Sequence, residues 1–383
     1  MFLYLVFGLQ LIGCKSCQEN QIIAQEKIGD DADAEPFTNK WGAWLSMTTT
    51  PDGNPAVSYY DKTVGALGYA VADISSGEPI WRHEEVDGYT NDQGLDEGDR
   101  GKFTSLAIAS DGRVWISYYD IGLKYLRYAT KDPSTDEWTF AMADMGGGSS
   151  PDAGHFSSIA LDASENPVIA HYDVGKGNLR IAHWDGAQFT GEIIDQGEDL
   201  VDESGNLLAE ANAGQFASLT IVDGVEYIAY YDAANGNLKL AIGSSGNYNI
   251  EIVDAQGNVG QWPDILVEGE TIHISYHDVE QQNLKYASGT SGNWNIVTAD
   301  DSAVVGADTA LSLSGGYTTI VYHDAENNDM KIARQNGETW TKETVTGTDG
   351  PLGFHNELIN IDGRHYAACY DYHQHIVWFD TVD

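Results

Sequence analysis

The chain has 383 residues, with 19 Lys and Arg against 59 Asp and Glu, a formal charge of −40 and 42% hydrophobic residues. That apolar content supplies a core and excludes a globally disordered chain. The charge opposes electrostatic binding to nucleic acid or to an anionic lipid surface.

Residues 1–13, MFLYLVFGLQLIG, form an apolar run too short to span a bilayer as a helix. They suit the apolar segment of a signal peptide. Leu11-Ile12-Gly13-Cys14 resembles a bacterial lipobox, although no Lys or Arg precedes the run. The resemblance implies that Cys14 is lipidated, that residues 14–20 are a short tether, and that the protein is exported and held at an envelope membrane. An outer membrane is expected, with contact through the lipid alone. Cys17 and Cys369 are too few for a disulfide framework, and no bond between them is expected. Residues 21–28, QIIAQEKI, read as a strand.

A block then recurs seven times. A strand ends in Tyr-Asp or His-Asp, a short loop follows, and the next strand begins Leu-Lys or Leu-Arg. SYYDIGLKYLRYA (117–129) and AYYDAANGNLKLA (229–241) are typical, and ACYDYHQHIVWFD (368–380) is degenerate. The marker aspartates are Asp61, Asp120, Asp173, Asp232, Asp278, Asp324 and Asp371; the last four are 46, 46 and 47 residues apart. Such a period signals a repeat architecture. Within 101–144 four strands alternate with turns, the first marked by Asp111-Gly112. Four short antiparallel strands per unit, repeated radially, define an all-β, seven-bladed β-propeller over residues 21–383. The last repeat supplies three strands, so residues 21–28 are expected to complete it and close the ring, sparing two exposed sheet edges. The repeats resemble those of bacterial propeller proteins with Tyr-Asp…Leu-Lys-Tyr-Ala blocks. That resemblance implies the fold and leaves function open. The Gly-His…Trp-Asp signature of WD40 repeats and the Ser-x-Asp-x-Gly-x-x-Trp box of sialidases do not occur.

Seven aspartates at one repeat position are expected to fix turns by accepting backbone N–H groups. The variable residues of the innermost strands carry more functional content. Trp41, Lys102, His155, Gln215, Gln261 and Phe354 are expected to ring the channel mouth, a place suited to a small ligand. Long insertions at 87–100, 144–153 and 195–213 join that face. Asp92, Asp96, Glu97 and Asp99, and Glu198, Asp199, Asp202 and Glu203, are candidate Ca²⁺ ligands, since that ion takes several oxygens. Neither set has EF-hand spacing. Leu207-Leu208-Ala209 reads as a short helix or a docking point. Arginines do not recur at the mouth, and G-x-S-x-G, H-E-x-x-H and P-loop motifs do not occur. The reading is a non-catalytic, lipid-anchored envelope protein binding a protein or glycan at its mouth face. The alternatives are a polysaccharide hydrolase or lyase using acidic mouth loops, and a structural subunit of an envelope or surface complex.

Overall fold

The computed structural model describes residues 41–77, 79–88, 98–148, 150–345 and 351–382. The signal segment, Cys14, Cys17, the 21–28 strand and Asp92, Asp96 and Glu97 lie outside the described residues. The innermost strands of the seven blades are Trp41–Thr49, Arg100–Ile108, Ala153–Leu161, Ala213–Val222, Val259–Glu268, Val305–Ser314 and Phe354–Ile361. Each blade runs outward in chain order through antiparallel neighbours. Six sheets have four strands, and the seventh has three among the described residues. Each inner strand packs on the next, and that of blade 7 packs back on that of blade 1, so the ring is closed.

Each inner strand begins at a glycine with positive φ, from Gly42 (104°) through Gly101, Gly154, Gly214, Gly260 and Gly306 to Gly353 (89°). The need is steric as well as conformational. A Cβ on Gly214 would lie 2.6 Å from the Cα of Leu179 in the preceding blade. Leu179 belongs to the repeated Leu-Lys/Arg pair, so this glycine seats one blade's inner strand on the repeat leucine of its neighbour.

The cation of that pair has a separate task. Arg127, Arg180, Lys239, Lys285 and Lys331 reach into the preceding blade, to Asp87, Asp144, Asp195, Asp254 and Asp300 at the end of its outer strand. Lys239 Nζ lies 2.5 Å from Asp195, and Lys331 Nζ lies 2.7 Å from Asp300. The first aromatic of the Tyr-Tyr-Asp block serves the same carboxylate. Tyr230 donates to Asp195 at 2.7 Å, Tyr322 donates to Asp300 at 2.6 Å, and His171 takes the equivalent place beside Asp144. Buried charges are tolerated because each is paired and hydrogen-bonded. These partners hold the Asp144, Asp195 and Asp300 carboxyls below the usual carboxylate range against the opposing effect of burial.

The junction between blades 6 and 7 replaces all three groups together. Val345 stands where the other outer strands end in Asp, Cys369 replaces the tyrosine and Trp378 the cation. All three join one apolar cluster. Cys369 is a buried free thiol, pushed up to about 12 by burial.

Candidate functional site at the channel mouth

The face carrying the Asp-terminated ends of the second strands is the mouth. All seven marker aspartates are buried there. Asp61 accepts the Thr63 N–H at 2.7 Å, Asp120 that of Leu123 at 2.8 Å, and Asp371 those of His373 and Gln374 at 2.8 and 2.9 Å. Asp232, Asp278 and Asp324 act likewise, whereas Asp173 accepts the Gly147 N–H from the preceding inter-blade loop. The next ring outward ties the blades together. Tyr60, Tyr119, Tyr172 and Tyr231 donate their hydroxyls to Asp99, Asp152, Asn212 and Asn258 of the inter-blade loops at 2.6 to 2.7 Å.

Lys102, His155, Gln215, Gln261 and Phe354 occupy one register position, opposite Tyr119, Tyr172, Tyr231, His277 and Tyr370. Trp41 does not share it. Its partner is Asp61, and Ala43 takes the equivalent place opposite Tyr60. The glycine-first bulge sets this offset: the inner strand of blade 1 runs Gly42-Ala43-Trp44, so the equivalent place falls two residues beyond Trp41. Gln215 donates its amide to Asn212 at 3.1 Å. His155 packs on Phe103 and Tyr119 with ring centroids 4.7 and 4.3 Å away. Burial depresses its imidazole pKa, with Lys102 and Lys124 acting in the same direction.

The next residue of each inner strand forms a feature that sequence reading missed. Trp44, Phe103, Phe156, Phe216, Trp262, Asp308 and His355 all have φ between 47° and 55°. Positive φ is costly for bulky side chains, so seven repetitions mark a built feature. These side chains line one axial cavity of about 360 Å³. Neighbouring rings touch in series, with centroids 5.5 Å apart for His355–Trp44, 5.4 for Trp44–Phe103, 4.9 for Phe103–Phe156, 4.4 for Phe156–Phe216 and 4.8 for Phe216–Trp262. Asp308 interrupts this aromatic collar between Trp262 and His355. Burial raises the Asp308 carboxyl to about 7, although it accepts the His355 N–H. Burial lowers the His355 imidazole to about 4, and Lys62 adds to the effect.

Two residues further along lies a ring of inter-blade clasps. Ser46 accepts the Leu106 N–H of the next blade at 3.1 Å, Ser105 that of Ile159 at 3.1 Å, and Ser158 that of Leu219 at 3.0 Å. Ser218 continues the series to Ile265 at 3.3 Å, and Asp264 to Leu311 at 2.7 Å. Glu357 accepts the Met47 N–H and so carries the series across the ring closure. Burial raises Asp264 to about 6. Glu357 is raised well above its ordinary value, first by burial and then by the charge of Asp264. Three carboxyls of blades 5 to 7 thus share a cavity whose other walls are aromatic, hydroxyl-bearing and aliphatic.

The third insertion is a two-stranded hairpin, Leu200–Val201 paired with Leu207–Ala209, and not a helix. Asp202 closes its turn by accepting the Ser204 and Asn206 N–H groups, both at 2.8 Å. Asp199 accepts the Ala211 N–H at 2.8 Å, and the Glu198 carbonyl accepts the Asn235 side chain at 3.0 Å. Asp99, of the first acidic set, accepts the Tyr60 hydroxyl. Among the described residues no group of three or more His, Cys, Asp or Glu is placed to hold a metal ion.

No family model and no curated protein matches the chain. Among solved structures it is similar to polysaccharide lyase Uly1, with a TM-score of 0.52 and 9% identity over 93% of this chain and 91% of that one. A prolyl endopeptidase gives a TM-score of 0.52 and 9% identity over 87% of this chain, which spans 46% of that protein. The Aleuria aurantia lectin, solved with alpha-methyl-L-fucoside, gives 0.47 and 14% over 81% and 96%. The blade geometry, together with the first two likenesses, defines the chain as an all-β protein of the seven-bladed β-propeller class.

Proposed function

We propose that this propeller binds a glycan at its mouth, held at the cell envelope by lipidated Cys14. The observation that carries the binding site is the collar of contiguous aromatic rings broken by one carboxyl, Asp308. The C–H face of a pyranose stacks on such rings, and a carboxyl receives sugar hydroxyls. Lys102, His155, Gln215 and Gln261 stand above the collar as polar groups that orient the ligand. Uly1 is by name a polysaccharide lyase, which accords with this reading without establishing it.

On a glycan array the wild type is expected to capture at least one glycan class, and Trp262→Ala to lose about tenfold or more, the scale of one aromatic contact with its buried area. Capture unaltered by Trp262→Ala would remove the collar from the account. For the anchor, Cys14→Ser is expected to shift the protein from the membrane pellet to the soluble fraction after cell lysis. A protein that stays in the pellet is not lipid-anchored through this residue.

A second reading rests on Asp264, Asp308 and Glu357. Carboxyls of unequal proton affinity in one cavity are the requirement for acid–base cleavage of a glycosidic bond. It predicts release of new reducing ends from a bound polysaccharide, abolished in Asp308→Asn. A bound polymer that emerges uncut after prolonged incubation rejects it.

A further inference from the structure

We infer that the mouth selects a glycan bearing an ammonium group, with the sugar on the Phe216–Trp262 arc of the collar and the nitrogen on Asp308. The inference rests on the glycan reading above and adds the ligand's charge.

The lining of the cavity is the first ground. It holds three carboxyls, Asp264, Asp308 and Glu357, and no Lys or Arg among the described residues. Asp264 and Glu357 are engaged in the inter-blade clasps, each by a backbone N–H of the next blade. Asp308 accepts the His355 N–H, and no ion pair reaches it among the described residues. Its ring neighbour His355, lowered to about 4, is uncharged at neutral pH. A carboxylate in a confined cavity is costly until a cation meets it. The Asp that ends each outer strand of blades 1 to 5 has that cation in an Arg or Lys of the next blade. Asp308 lacks one, and a ligand's ammonium supplies it.

The rings are the second ground. The face of an aromatic ring attracts a cation, and the collar already does so with the protein's own side chains. The Lys102 ammonium lies 5.2 Å from the Trp44 ring centroid and that of Lys62 lies 5.8 Å from it. Those two groups claim the blade 1 side of the collar. Charge on that side is mixed, since Lys62 follows Asp61 in the chain and Lys124 pairs with Asp152 at 3.4 Å. Across the ring, Phe216 and Trp262 lie 4.8 Å apart on the side of Asp308. The mouth loops of blades 5 and 6, residues 279–282 and 325–328, contain Glu280 and Glu326 and no Lys or Arg. The net charge of −40 draws cations of every kind toward the surface. The arc and Asp308 add the selection, a ring face for the sugar and a carboxylate for its nitrogen.

The test is an array of oligosaccharides of fixed length at neutral pH and physiological ionic strength, with each backbone present in hydroxyl, acetamido, carboxylate, sulfate and ammonium forms. Tryptophan-fluorescence titration then ranks the tightest probe against its hydroxyl counterpart. That probe is expected to carry an ammonium and to bind about tenfold or more tightly than the hydroxyl form, the scale of a single hydrogen bond to a charged group. Asp308→Asn is expected to erase most of that ratio, with a melting temperature no lower than that of the wild type. The variant changes the net charge by a single unit, so adhesion of a cationic probe to the acidic surface survives it. A tightest probe that is neutral or anionic, or an ammonium preference that survives Asp308→Asn, overturns the inference and leaves the glycan reading intact. Failure of every probe overturns both.

Discussion

Replacing Asp300 by alanine is expected to cost about 3–5 kcal/mol, the scale of leaving a buried charge without its partner. Asp300 is fully buried at the junction of blades 5 and 6. It receives Lys331 at 2.7 Å and Tyr322 at 2.6 Å, with Lys342 at 3.5 Å. Removing it strands an ammonium and a hydroxyl where water has little access. With an unfolding entropy of about 2.1 cal/mol/K per residue, that loss lowers the melting temperature by about 4–7 °C. The neighbouring junction supplies the control, since Val345, Cys369 and Trp378 show the same interface built from apolar groups. The triple variant Asp300→Val, Tyr322→Phe, Lys331→Met is expected to recover most of the loss, because apolar replacement of a buried pair is often neutral. Thermal unfolding of the two variants beside the wild type decides it. A single variant that melts within a degree of wild type would show that the inter-blade pairs do not hold the ring.

Asp308→Asn is expected to stabilise the protein increasingly as pH rises. The fold raises this carboxyl from 3.8 to about 7 through burial. A raised carboxyl contributes no penalty below its unfolded value, where both states are protonated. Its contribution is lost as pH rises through the folded value, because the unfolded chain ionises freely and the fold does not. At about 1.4 kcal/mol per unit, reduced by water in the channel, the variant should gain about 2–4 kcal/mol over wild type at pH 8 and almost nothing at pH 4. Asparagine also tolerates the positive φ of 49° at this position. The readout is the difference between variant and wild type. Half-buried His83, His277 and His355, each lowered to about 4 chiefly by desolvation, contribute the opposite slope to the whole profile between about 4 and 6.5. Equal variant and wild-type stabilities across that range would show that Asp308 is ordinary and solvent-exposed.

The blades could be read in the sequence because each repeat carries its own signals. The Asp-capped turn, the Asp-Gly hairpins and the Leu-Lys/Arg strand start are local, and they predict four strands wherever they recur. What joins the blades was less legible. The Asp ending each outer strand meets a Lys or Arg 31 to 44 residues later, in the next repeat, and strand periodicity does not encode that pairing. A signal did exist, since Asp87, Asp144, Asp195, Asp254 and Asp300 hold one repeat position and the seventh repeat loses its cation while the sixth loses its Asp. The collar was less legible because blade 1 places Trp41 and Trp44 on either side of Gly42-Ala43. The positive-φ glycine fixes the frame as Gly42-Ala43-Trp44 and sets Trp44, Asp308 and His355 in one ring. The carboxyls of blades 5 to 7 gained meaning only when the ring closed, which set Glu357 beside blade 1.

A structure of the protein with a bound oligosaccharide, obtained with the tightest glycan from the array, tests the central claim most directly. The account predicts a pyranose ring stacked on the Trp44–Trp262 arc, with hydroxyls reaching Asp308. A sugar seated on a blade flank or on the 200–209 hairpin, with the collar untouched, would contradict it.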